Sequence, residues 1–444
     1  MQRPNILFVH CHDLGRYLHC YGVDTVQSPN LDRLAGEGVL LERMFCTAPQ
    51  CSPSRASLFT GRYPHNNGVM GLTHAEFAWD LHPKERHLGE TLRDAGYRTA
   101  AIGVIHETRS GAARCGYGDH APRPRAEQAV DNAIARLREL AASDEAPFYL
   151  SVGFLEPHRL PQPDRDADMG FVAPGIEPDA ELGVQVPGYL QPTEGTQTEL
   201  AELQGAVRHM DTHFGRLMAA VDELGLRDNT LVAFTTDHGV AMPRAKCSLY
   251  DPGLGVATIF RMPTREGWRG GIRHDALLSN VDMLPTLLEL LDIEAPKGVQ
   301  GRSFLGLMDG GAYTRRDEIH GEITYHDYYD PRRCIRTETH KLIANFSAAP
   351  AFMDPSQSWR PRSDTIEPPN HATAYHPKIE LFDLRADPWE LHDLGGDPAH
   401  AEIRAELMGR LYAHMRDTQD PLLDGAVTSP MHTAVVDLLQ QAGG

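Results

Sequence analysis

Positive charge is scarce in this 444-residue chain: 42 lysines and arginines face 61 aspartates and glutamates, a formal balance of −19. A polyanion-binding surface needs a net or clustered basic footprint, so nucleic acid is excluded as the expected partner. Any anion the protein handles should be small and met in a locally basic pocket. Paired cysteines are also missing. The seven present, at 11, 20, 46, 51, 115, 247 and 334, are odd in number and scattered, which argues against a disulfide framework and for a reducing compartment. No apolar run approaches the length of a membrane span, and no signal-type stretch precedes Asn5, so the expectation is a cytoplasmic protein, or a periplasmic one if a leader has been removed. Repeats and low-complexity linkers are absent too. The remainder, 41% hydrophobic and 23% charged, is ordinary for a globular protein able to bury a large core.

Strand and helix patterns alternate through the first three quarters of the chain. Asn5 to Val9 is a continuous apolar run, the signature of a strand buried on both faces of a parallel sheet. Further strands are predicted over Thr99–Ile102, Phe148–Phe154 and Thr230–Thr235. Helices are predicted over Leu88–Ala95, Ala126–Ala142, Leu200–Leu224 and Asn280–Leu291, and a helix leading to a short strand over Pro29–Leu41. Residues 160–195 read as an irregular excursion. From Glu318 the pattern changes to short strands (Ile335–Thr337, Lys341–Asn345, Glu380–Leu384), a proline-rich polar segment from Ala348 to Lys378, and a helix over Ala401–Met415. The expected architecture is therefore α/β: a large, mostly parallel sheet flanked by helices over residues 1–317. A smaller C-terminal α+β domain with an antiparallel sheet is expected over 318–444.

Four of the predicted strands run directly into histidine or aspartate: His12 and Asp13, His106, His158, and Asp237 with His238. Ligands of open α/β sheets bind at the carboxyl edge, so these distant residues should converge there. His12, Asp13, Asp237 and His238 form a mixed oxygen and nitrogen set suited to one divalent cation; imidazole shifts the preference from calcium or magnesium toward manganese, zinc and their neighbours. Taken singly, each would be an ordinary loop-end hydrogen bonder. His106 and His158 are candidate proton carriers, and Lys246 a point charge for a tetrahedral oxyanion. Cys51, Ser52, Pro53, Ser54 and Arg55 open a helix-compatible run, where unpaired N–H groups and Arg55 would lower a thiol pKa. A plain buried cysteine is the competing reading.

The stretch Cys51–Arg55 resembles the signature of type I sulfatases of the alkaline phosphatase superfamily. Pro4–Tyr21, Pro29–Gly38, Thr60–Gly68, Asn229–Gly239, Ile335–Ile343 and Glu380–Leu394 resemble sulfatase segments in sulfatase order. His65, Asn67 and Gly71, Phe154–Arg159 and Thr418–Pro421 look closest to heparan N-sulfatase-like members. The resemblance implies that a formylglycine-generating enzyme converts Cys51 to formylglycine, whose hydrate attacks a sulfate ester or sulfamate of a small sulfated sugar or aryl sulfate. Arg55 would hold residue 51. His12, Asp13, Asp237 and His238, with residue 51, would bind one divalent metal, calcium by family and manganese or another transition metal given the histidines. His106 would act as base on the hydrate, and His158 and Lys246 would contact the sulfate and assist the leaving group.

Three positions depart from the family pattern. His12 stands where many members have aspartate, His238 where many have asparagine, and Val104 where a lysine is usual. His238 and Val104 motivate an alternative, hydrolysis of phosphonate monoesters or phosphodiesters; Val104 alone motivates a catalytically inactive binder of sulfated ligands. Tyr325, His326, Asp327 and Tyr328, together with His74, are candidates for contact with the leaving group.

Overall fold

The computed structural model describes residues 3–143, 146–161, 169–348 and 375–443. An eight-stranded mixed sheet forms the centre. Its order is Ile272–His274, Val39–Leu41, Thr258–Arg261, Thr230–Thr236, Asn5–Cys11, Phe148–Gly153, Arg98–Gly103, Asp119–Ala121. Thr258–Arg261 runs antiparallel to both its neighbours, and the other adjacent pairs are parallel.

Asn5–Cys11 is buried along its whole length because both faces are covered. Leu7, Val9 and Cys11 face a layer built on the helices Pro29–Glu37, Ala126–Ala141 and Glu194–Glu223. Ile6 and Phe8 face the opposite layer, with Leu58, Phe59, Leu88 and Leu284 from the helices Cys51–Thr60, Leu88–Asp94 and Met283–Leu290. This two-sided burial is why Ile6–Val9 within it is continuously apolar rather than alternating.

The long helix begins at Glu194, six residues before the predicted start, because the Thr193 side chain accepts from the Thr196 N–H and caps it inside what reads as an irregular stretch. Met283–Leu290 is α-helical, but Asn280–Asp282 ahead of it is a 3₁₀ turn closed by a Ser279/Asp282 capping box. Residues 162–168 of the predicted excursion and 349–374 of the proline-rich segment lie outside the described residues.

A four-stranded antiparallel sheet occupies the C-terminal part: Glu318–Tyr325, Tyr329–Thr337, His340–Asn345, Ile379–Asp383. Its first strand is absent from the sequence reading. Glu318–Tyr325 is half polar, yet its polar side chains are buried against partners: Glu322 meets His65, and the His320 ring stacks on His414 at 3.5 Å. Leu407, Leu411 and Met415 of the helix Ala401–Asp417 cover Ile335, Leu342 and Leu381 of the sheet. Backbone bonds from Glu322 N–H to the Thr47 carbonyl (2.8 Å) and from Tyr325 N–H to Met70 (3.0 Å) fasten it beside the cysteine-bearing helix.

Candidate active site

The four strands that run into histidine or aspartate are consecutive in the sheet. At about 4.8 Å per strand spacing their carboxyl ends span roughly 14 Å, so residues far apart in sequence meet in one pocket. Asp13 adopts a left-handed backbone (φ 50°), a conformation that aspartate tolerates better than most side chains, and its N–H donates to Asp237 Oδ1 at 2.9 Å. Its Oδ2 accepts from Lys246 Nζ at 2.8 Å and lies 3.7 Å from His158 Nε2; its Oδ1 lies 3.2 Å from His238 Nε2. The sequence-predicted metal set thus meets around two buried carboxylates.

Cys51 is the first residue of a ten-residue helix that is buried at every position, and Gly61 ends it in the left-handed conformation with its N–H on the Ser57 carbonyl. The buried hydroxyls are paired: Ser54 Oγ donates to the Asp237 carbonyl (2.5 Å), and Ser52 Oγ meets Thr73 Oγ1 (3.3 Å). Cys51 Sγ lies 3.3 Å from His238 Nε2 and 3.9 Å from Asp13 Oδ1. Two sequence expectations are corrected here. The thiol is not acidified: burial pushes it up to about 12, a desolvation effect that outweighs the Lys246 cation. Arg55 does not hold Cys51 directly. Its Nε and one terminal nitrogen donate to Asp237 Oδ2 (3.2 and 3.1 Å), and it also reaches the Cys11 carbonyl and His10 Nδ1. Arg55 therefore acts by fixing Asp237.

Electrostatics explain how this polar cluster stays folded. Burial pushes the Asp13 carboxyl up, but Lys246, His158 and His238 hold it well below the usual range; Asp237 is held low in the same way by His238, Arg55 and His12. Burial lowers His106, His158 and His238 from the ordinary imidazole range, and lowers His12 to about 3. Both ring nitrogens of His12 are buried without a hydrogen-bond partner, although Nδ1 stands 3.1 Å from Asp237 Oδ2. An imidazole facing a carboxylate outside hydrogen-bond geometry suits a shared cation. The donor atoms of Asp13, Cys51, Asp237 and His238, and those of His12, Asp13, Cys51 and His158, each lie within 4.8 Å of one another. The mixed N, O and S donors fit a divalent metal.

His106 follows the strand Arg98–Gly103 and lines the same pocket, its ring 5.9 Å from that of His12. Thr73 Oγ1 donates to its carbonyl, Glu107 Oε2 accepts from its N–H, and His74 Nδ1 stands 2.9 Å from its Nε2. Thr73 and Glu107 escaped the sequence reading; adjacency of Glu107 to His106 is the only signal either offers. Val104 is half-buried and brings no charge to the position where the family pattern has lysine. His326 is buried, its Nδ1 3.5 Å from Asp327 Oδ2, and the Lys246 cation is near enough to add to burial in lowering its imidazole, so it too borders the pocket.

A carboxyl-edge pocket with a helix-borne residue 51, a lysine, buried imidazoles and a cation-ready carboxylate pair is equipped to hydrolyse a small anionic ester. Known proteins narrow this. The sulfatase family model matches residues 4–293, more than half of the chain, and the N-sulphoglucosamine sulphohydrolase C-terminal model matches 244–355. The chain belongs to the sulfatase family, type I hydrolases of sulfuric esters. It is 28% identical to human N-sulphoglucosamine sulphohydrolase over 468 residues, covering 94% of this chain and 91% of that protein. An ulvan-active sulfatase of Formosa agariphila is 27% identical over 446 residues, covering 97% and 84%. A protein solved with its substrate D-glucosamine-2-N,6-O-disulfate shares the fold, with a TM-score of 0.71 at 19% identity, covering 94% of this chain and 99% of that one. The phosphonate and inactive-binder alternatives are not favoured by these matches.

Proposed function

We propose that the protein removes sulfate from a sulfated sugar, by ester or sulfamate cleavage, through a formylglycine hydrate at residue 51. The observation that carries this reading is the placement of Cys51 at the start of a fully buried helix, with Asp13, His238 and Lys246 gathered around it. Relatives whose names specify sulfated glucosamine support the sugar class. A hydrate oxygen attacks sulfur, the bond from sulfur to the sugar oxygen or nitrogen breaks, and the leaving atom takes a proton. The second hydrate hydroxyl then gives up its proton and the hemiacetal sulfate collapses to aldehyde and free sulfate, which a plain alkoxide nucleophile would not allow. Water restores the hydrate.

In this scheme His106, neutral and held by Thr73 and Glu107, is the base on the hydrate. Lys246 and His158 face the sulfuryl oxygens and the leaving group from the Asp13 side. His12, Asp13, Asp237 and His238, with residue 51, would hold a divalent metal, which when bound supplies Lewis-acid charge stabilisation. His74 and His326 are assigned to the rim that meets the sugar. Co-expression with the formylglycine-generating enzyme should give a residue-51 peptide with the mass of formylglycine and a protein that releases sulfate from glucosamine sulfates. An intact thiol in fully active protein would refute the mechanism.

A further inference from the structure

A cavity of about 450 Å³ lies beside the catalytic centre and belongs to none of the roles above. Its floor includes Leu14 and Gly15, which directly follow Asp13, and Val240, two residues after His238; Gly15 N–H donates to the His238 carbonyl at 2.8 Å. Its volume falls within the range of small-molecule sites.

The walls combine aromatic faces with a cation. Trp389 is 40% exposed, its ring 5.6 Å from that of buried Tyr189, and the buried Tyr17 also lines the cavity. Trp389 lies over Gly188, where a Cβ would stand 2.3 Å from the indole nitrogen, so the glycine makes room for the ring. Arg16 lies on the Phe45 ring at 4.5 Å and donates to the Met44 carbonyl. Its Nε is buried with no partner, and among the described residues it makes no ion pair. Asp251, the acidic residue of the lining, is already paired with Arg336 (2.9 Å) and Lys341 (2.6 Å). Burial lowers Arg16 only to about 10, so it is a cation at neutral pH. Arg16 is part-buried and feels the Asp251 charge, but it shares that carboxylate with Arg336 and Lys341 and keeps an unpartnered Nε, so an anion in the cavity would find a donor there.

We propose that this cavity is a second binding site, for an anionic pyranose: a sugar ring bearing sulfate or carboxylate, its apolar C–H face on Trp389, which Tyr189 backs, and its anion on Arg16. The site goes beyond the catalytic reading and does not depend on it, because binding is measured without turnover. The test is a fluorescence titration of full-length Cys51→Ala protein with N-acetylglucosamine 6-sulfate, glucuronate and N-acetylglucosamine. Both anionic sugars should change tryptophan emission, and Trp389→Phe should abolish the change. Arg16→Gln should weaken their binding about tenfold or more, and the uncharged N-acetylglucosamine should bind the parent more weakly by a similar factor. Lys246→Ala should leave the titration unaltered. A signal that follows Lys246, survives Trp389→Phe, or is equal for N-acetylglucosamine would overturn the proposal. If Arg16→Gln does not fold, Gly188→Ala, which displaces the indole, must abolish the titration for the proposal to stand.

Discussion

Replacing Arg55 by methionine isolates the interaction on which the pocket is assembled. Arg55 is 1% exposed and donates through two nitrogens to Asp237 Oδ2, and no other arginine or lysine pairs with Asp237 among the described residues. Methionine matches much of the volume but leaves a buried carboxylate without its cation, which costs about 3–5 kcal/mol. At roughly 2.1 cal/mol/K per residue, a chain of this length has an unfolding entropy of about 0.9 kcal/mol/K, so the melting temperature should fall by about 3–5 °C. The assay is thermal unfolding followed by circular dichroism in chelator-treated protein, so that bound cation does not mask the loss. Arg55→Met combined with Asp237→Asn should be less destabilised than the two single changes added together, by about 0.5–3 kcal/mol, since the second removes the charge stranded by the first. A single variant melting within 1 °C of the parent, or strict additivity, would refute the argument that Arg55 works through Asp237.

Lys246→Ala, which removes the cation 2.8 Å from Asp13, should lower kcat/KM for sulfate release by about 10²–10³-fold, and an unchanged value would remove Lys246 from the reaction. Treatment with chelator should abolish sulfate release, and titration of calcium or manganese should restore it at one ion per chain; full activity in the metal-free protein would contradict the assignment of the carboxylate pair. His320 and His414 test the electrostatics away from the pocket. Burial lowers both, helped by His414 at His320 and by His65 at His414, which falls to about 3, so the folded state keeps them neutral while the unfolded chain binds protons below about 6.5. Their stability contribution is therefore intact above that pH and lost as pH falls toward 3, by up to about 1.4 kcal/mol per pH unit for each ring. Melting curves should fall more steeply below pH 6.5 in the parent than in His414→Gln, by up to about 1.5 °C per pH unit; parallel curves would refute it.

Much of the catalytic half was legible before any coordinates, for local reasons. A strand covered on both faces must be apolar throughout, so Asn5–Val9 announces its own burial, and the polar residues that follow it mark the sheet edge. The Cys51–Arg55 stretch announces a helix start in the same way. Local pattern fails where burial is settled by a distant partner. Glu318–Tyr325 looks too polar for an interior strand until Glu322 is seen on His65 and His320 on His414. Thr193 caps a helix whose first turn carries no apolar periodicity.

Sequence by itself determined the type of the central-sheet strands and the chemistry each strand end carries, because backbone periodicity and residue type act over a few positions. Tertiary structure alone decided that those four strand ends stand side by side, that Lys246 meets Asp13 across 233 residues, and that Arg55 serves Asp237 across 182. It alone decided that the Cys51 thiol is raised rather than lowered, because desolvation depends on what the whole fold packs around the sulfur and not on the residues beside it in the chain.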